Sequence, residues 1–226
     1  MKTLALSILL GALFIAPATY AHRDEGNAKW ELPGDVLGTL NQISFKQGAD
    51  DVWYFMESHT IAHNPSTYRF IPEYDAPAIF LGGGFTPAGF SCWHSPSILP
   101  DVCVNFNSTP VTLENFNVPP GSVYMHPGED RFSIVAWKSP ITGNVKIHGL
   151  FADIDANCGN GVTATIDKGS ATLLTLVVEN GTTQNFSLKH IHVHKGEVLY
   201  FIVDPRGEFS CDSTRLEVTI TSTGLY

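Results

Sequence analysis

From Val145 to Phe151 the chain alternates: Val145, Ile147, Gly149 and Phe151 fall on one side, Lys146 and His148 on the other. A period of two belongs to a half-buried β-strand, because successive side chains of extended backbone point to opposite faces. The same period returns near the C-terminus, where Thr214, Leu216, Val218 and Ile220 alternate with Arg215, Glu217 and Thr219. Further segments rich in strand formers lie at 51–56, 67–71, 102–106, 162–167, 171–178, 186–194 and 198–204, with another strand ending near Trp137. Outside the N-terminal apolar run no stretch sustains a helical period. Short strands separated by turn signals predict an all-β fold, an antiparallel β-sandwich in a single domain.

Three local expectations follow. Residues 72–101, rich in Pro, Gly and aromatics, read as a long connection. Asn180-Gly181 is a hairpin signal that would continue a meander from 162 to 194. Phe186 and Leu188 share one parity while Ile191 and Val193 share the other, which predicts a β-bulge between them.

Met1-Lys2, an apolar run from Leu4 to Ala16 and small residues around Ala18 to Ala21 form a secretory signal peptide over residues 1–21. Residues 22–226 are then long enough for one sandwich with a substantial core. No later stretch reaches the roughly 18 unbroken apolar residues that span a bilayer. A formal charge of −9, one unit more negative without Lys2, disfavours nucleic acid and anionic membrane surfaces as partners. The expected location is extracellular, with passage through a periplasm on the way.

Four cysteines in an exported chain predict two disulfides. Of the three connectivities, Cys92–Cys103 and Cys158–Cys211 are preferred: the first closes a short loop, and the second joins an acidic loop to the segment before the last strand. That loop, Asp153 to Gly161, places oxygen-bearing side chains at every second position, so a folded-back turn can converge them on a hard cation. Asp153, Asp155, Asn157 and Asp212, which follows Cys211, are the candidate ligands of a structural calcium ion. The loop is not an EF-hand, since its sixth position is Cys158 and its twelfth Ala164.

His190, His192 and His194 fall at every second position of one predicted strand, about 6–7 Å apart on one face. Such a row is a candidate zinc or copper site, or simply a solvated strand face. Motifs for a serine or cysteine nucleophile or a zinc-protease helix are absent from the sequence, so no catalytic residue is assigned. The aromatic residues point to saccharides, whose axial hydrogens pack on ring faces. Trp93, in the expected long loop, is the leading candidate for an exposed platform, followed by Tyr74 and Trp53.

Residues 119–221 carry Tyr124-Met-His-Pro-Gly128, Val135-Ala-Trp-Lys-Ser-Pro140, Gly159-Asn-Gly-Val162, Lys195-Gly-Glu-Val-Leu-Tyr-Phe201 and Cys211-Asp-Ser-Thr214. In these the segment resembles the β-sandwich domain of exported bacterial proteins, including the PEP-CTERM group of surface proteins. The resemblance implies a jelly roll similar to carbohydrate-binding modules, often with structural calcium near the last strand, and implies no catalysis. The sequence closes at Tyr226 without the sorting tail of that group, so free secretion is expected rather than surface anchoring. The functional expectation is a non-catalytic protein that binds glycan or another surface ligand. Its alternatives are an exported glycan-acting hydrolase on the same scaffold and a transition-metal binder using the histidine strand.

Overall fold

The computed structural model describes residues 28–38, 52–60, 62–75, 89–113 and 116–224. The signal-peptide reading of residues 1–21 lies outside them. In chain order the strands are β1 (Lys29–Leu32), β2 (Trp53–Ser58), β3 (Tyr68–Phe70), β4 (Glu73–Asp75), β5 (Phe90–Ser95), β6 (Ile98–Asn105), β7 (Val111–Leu113) and β8 (Phe116–Val118). They continue with β9 (Val123–His126), β10 (Ser133–Lys138), β11 (Gly143–Asp153), β12 (Val162–Lys168), β13 (Ala171–Val178), β14 (Thr183–Val193), β15 (Val198–Asp204) and β16 (Thr214–Ser222). A five-residue helix, α1 (Gly34–Gly38), follows β1.

Two antiparallel sheets face each other as a jelly-roll sandwich. The larger runs β14-β11-β16-β9-β6-β5-β4 with β1 on β16, and the smaller runs β13-β12-β15-β10-β2-β3. Between them lies the main core, in which Trp53, Phe55, Val135, Trp137 and Phe201 of the smaller sheet meet Val102, Met125, Ile147, Phe151 and Val218 of the larger. The alternation that marks β11 and β16 in the sequence is the alternation of burial: in β16, Thr214, Leu216, Val218 and Ile220 are buried and the residues between them only partly so. A second cluster, with Phe90, Tyr124 and the Cys92–Cys103 pair, lies on the outer side of the larger sheet with Val111, Leu113 and Val118 of the β7–β8 pair. No helix among the described residues is long and apolar enough to cross a membrane.

The bulge falls where the parity change places it. Val145 pairs with Ile191 and Ile147 with Leu188, so Lys189 and His190 together oppose Lys146, and His190 takes φ +59°. Both disulfides also form as expected, Cys92–Cys103 and Cys158–Cys211.

Two expectations are overturned. Within residues 72–101, 73–75, 90–95 and 98–101 are strand rather than connection, while 76–88 lie outside the described residues: β4 pairs with β5 and β5 with β6, which completes the larger sheet. The segment hides its strands because β5 is buried on both faces, inside against the core and outside under the β7–β8 cluster, so no polar side shows the period. Asn180-Gly181 does not close a hairpin either. β13 is the edge of the smaller sheet and β14 the edge of the larger, so the turn carries the chain from one layer to the other. Its own bond, Thr182 N to Glu179 O at 2.9 Å, is that of a tight turn whichever strands it joins.

Candidate functional site

Strands β2, β5, β11 and β15 end, and β6, β10, β12 and β16 begin, at one end of the sandwich. The loops there carry the acidic cluster and a cleft.

β11 delivers Asp153 as its last residue, and its amide donates to Thr182 O while that of Ile154 donates to Ser213 O, both at 2.9 Å. The loop is thereby tied to two neighbours before the Cys158–Cys211 bridge adds a third tie. Gly159, at φ +83°, lies so close to the Ser210 carbonyl that a Cβ would stand 2.2 Å from its oxygen, which only glycine permits. Asp153, Asp155 and Asp212 are 6 %, 8 % and 0 % exposed. Asp153 Oδ1 accepts from the amide of Asp155 at 3.0 Å, and Asp155 Oδ1 accepts from Asn157 Nδ2 at 2.7 Å. Asp153 Oδ2 and both oxygens of Asp212 accept no hydrogen bond.

Buried carboxylates left in this state resist ionisation. Burial, then the charges of Glu208, Asp153 and Asp204 against the opposing Arg206, push Asp212 up to about 8. Burial also raises Asp153 to about 6, against the lowering effect of backbone amides from Gly181 and Asp155. Three unpartnered carboxylate oxygens on two neighbouring segments are the donor set that a hard cation takes. Asp153, Asp155, Asn157 and Asp212 are thus brought to one end of the fold, as the sequence suggests. The carboxylates stand wider apart than a closed cluster, however. Among the described residues the one group whose potential ligand atoms all lie within 4.8 Å is Asp101 with Cys92 and Cys103, and those sulfurs are joined in a disulfide.

The histidine row does not gather. The bulge takes His190 out of the alternating register, and all three rings are exposed. His192 and His194 approach to a ring separation of 4.9 Å, with His192 Nδ1 3.3 Å from Asn144 Oδ1.

Two of the three expected sugar platforms are core residues. Trp93 is 3 % exposed and packs its ring 4.8 Å from Phe55 and 4.5 Å from Tyr74, because alternate residues of β5 face inward. Trp53 is 1 % exposed, and its indole N–H donates to Asp35 Oδ2 at 3.0 Å. Tyr74 is half-buried against Trp93.

The exposed aromatic lies elsewhere. Phe70 on β3 is 52 % exposed and stacks on Tyr54 of β2 with ring centroids 5.7 Å apart. It rims a cleft of about 470 Å³ between the β2–β3 edge, the β5–β6 turn and the β9–β10 connection, lined also by Glu57, Arg69, Ser95 and Arg131. Glu57 is 3 % exposed with Oε2 unbonded, and Arg131 Nη1 stands 3.9 Å from it. Arg131 also reaches Ser95 Oγ at 3.3 Å. The signal for this cleft is present in β2: Glu57 has the parity of the buried Trp53 and Phe55, and a charge on the inward face of a strand marks a place where the core ends.

No protein-family model matches the chain, and no curated protein matches it. Among solved structures, a family 51 carbohydrate-binding module from Clostridium perfringens, in complex with methyl-galactose, aligns at 8 % identity and TM-score 0.36 over 66 % of this chain and 92 % of the module. A family 36 carbohydrate-binding module in complex with calcium and xylotriose aligns at 10 % identity and TM-score 0.30, over 66 % and 98 % of the two chains. A family 29 module complexed with mannohexaose aligns at 14 % identity and TM-score 0.31, over 67 % and 92 %. All three scores are below 0.5, and no ligand is carried from these modules to this chain.

Proposed function

We propose that this chain is an exported, calcium-stabilised β-sandwich that binds carbohydrate in the cleft between β2–β3 and the β5–β6 turn and does not catalyse its turnover. The observation that carries the ligand class is an exposed, backed aromatic ring, Phe70, at the rim of a cleft lined by charged and polar side chains. Phe70 stacked on Tyr54 offers a rigid apolar face to a pyranose ring. Glu57 lines the same cleft, where a sugar hydroxyl can donate to the accessible part of its carboxylate.

Calcium rests on separate ground. The unpartnered oxygens of Asp153 and Asp212 favour a cation over an empty acidic turn. Asp155, Asn157 and carbonyls of the Cys158 to Gly161 turn would complete an oxygen shell. Bound there, the ion would neutralise carboxylates that otherwise repel. Export is supported by the two disulfides, which persist in oxidising compartments, and by the resemblance of residues 119–221 to exported sandwich domains.

A glycan array with labelled residues 22–226 in millimolar calcium tests the reading. Selective saccharide retention that Phe70→Ala lowers about tenfold or more is the expected result. Retention of no saccharide contradicts it, and release of reducing ends from a bound glycan would identify a hydrolase instead.

A further inference from the structure

The cleft holds more positive than negative charge, although the chain as a whole is acidic, with a formal charge of −9. Glu57 is the one carboxylate in its lining, and two guanidinium groups flank it: Arg69, directly opposite across the β2–β3 ladder, and Arg131. These two arginines are committed differently. Arg131 is shared among Glu57 Oε2 at 3.9 Å, Asp130 Oδ1 at 3.5 Å and Ser95 Oγ at 3.3 Å, so its charge is already compensated. Arg69 is exposed, and among the described residues it makes no ion pair. Its Nη1 donates to two backbone carbonyls, Ser66 O and Tyr68 O, each at 3.0 Å. Those two bonds hold the guanidinium in place without neutralising it. A pre-positioned and uncompensated planar fork is the arrangement that recognises a carboxylate bidentately.

Resting on the reading of this cleft as a saccharide site, we propose that it selects acidic sugars bearing a carboxylate, of the uronic-acid class. In this assignment Arg69 pairs with the sugar carboxylate, Glu57 on the same face accepts from a hydroxyl, and Phe70, the next residue of β3, makes an apolar contact at the rim of the cleft. The carboxylate is chosen over a sulfate ester because the fork matches a planar two-oxygen acceptor, whereas a tetrahedral sulfate gains chiefly from charge.

Isothermal titration of residues 22–226 at fixed free calcium tests this with oligosaccharides matched in linkage and length. The neutral, uronate and sulfated members of each pyranose series are compared for the wild type, Arg69→Gln and Arg69→Lys. The expected result is uronate binding at least tenfold tighter than neutral, a preference that shrinks below about twofold in Arg69→Gln and is only partly kept in Arg69→Lys, which retains charge but not the fork. Unchanged melting curves for both variants, which alter an exposed side chain, certify the fold. Equal binding of neutral and uronate members, or a preference that survives Arg69→Gln, overturns the proposal and leaves the saccharide site standing. Sulfated members bound as tightly as uronates overturn the carboxylate assignment. Binding of no member overturns this inference and the saccharide reading together.

Discussion

Cys158 and Cys211, 53 residues apart in sequence, are joined so that the acidic loop after β11 and the segment carrying Asp212 meet at one end of the sandwich. Closing a loop of that length removes conformational freedom from the unfolded chain worth about 4 kcal/mol on the chain-entropy model. Cys158 is exposed and Cys211 partly so, whereas Cys92 and Cys103 are buried, so mild reductant should open the Cys158–Cys211 bridge first. Partial reduction followed by alkylation and peptide mapping checks the order. A Cys158→Ser, Cys211→Ser chain should melt lower and bind calcium more weakly, because Asp212 is no longer held to the loop.

Calcium should raise the melting temperature with the logarithm of its excess over the dissociation constant. A hundredfold excess over that constant stabilises a native state by about 2.7 kcal/mol, which corresponds to roughly 5–10 °C for a domain of this size. Melting curves in EDTA and in millimolar calcium should differ for the wild type and coincide for Asp212→Asn. Coincident wild-type curves, with no metal found by elemental analysis, would remove calcium from the account.

In EDTA, stability should fall as pH rises from about 4 to about 8. Asp212 is pushed up to about 8 and Asp153 to about 6 in the folded chain, and burial holds Asp101 well above its ordinary value. An unfolded aspartate titrates near 4. Across that window the folded state keeps protons that the unfolded chain has lost, so each rise in pH favours unfolding. Calcium bound at the acidic loop would displace protons from Asp153 and Asp212 but not from Asp101, so its stabilising increment should be larger at pH 8 than at pH 5. Thermal melts at both pH values, with and without calcium, give the four numbers required.

Phe70 and Trp93 should separate binding from stability. Trp93→Ala empties a core position and should cost about 3–5 kcal/mol, while Trp93→Phe should leave saccharide affinity unchanged. Phe70→Ala removes an exposed ring and should cost about 1 kcal/mol of stability while lowering affinity. Chemical denaturation beside binding titration reads both effects.

The reversal of roles between these two residues shows how far the sequence was legible. β11 and β16 each have one buried face, so their alternation is written in the residues, and the His190 bulge is written as a change of parity. Cysteine spacing and the crowding of Asp and Asn residues likewise mark the acidic end in the sequence. β5 has no solvated face, and without that contrast Trp93 reads as part of a loop. Asn180-Gly181 specifies a turn geometry, not which sheet the next strand joins. The cleft is assembled from four segments far apart in the chain, of which only Glu57, a charge at an inward position of β2, leaves a local trace.

The most direct test of the account is to map where a retained saccharide binds. Amide chemical shifts of isotopically labelled protein should be followed while the best array ligand is added in calcium. The account predicts that the largest shifts cluster on Glu57, Arg69, Phe70 and Arg131 and vanish in Glu57→Gln. Shifts centred instead on the His192 to His194 edge, or on the Asp153 to Gly161 loop, would place the binding surface elsewhere and contradict it.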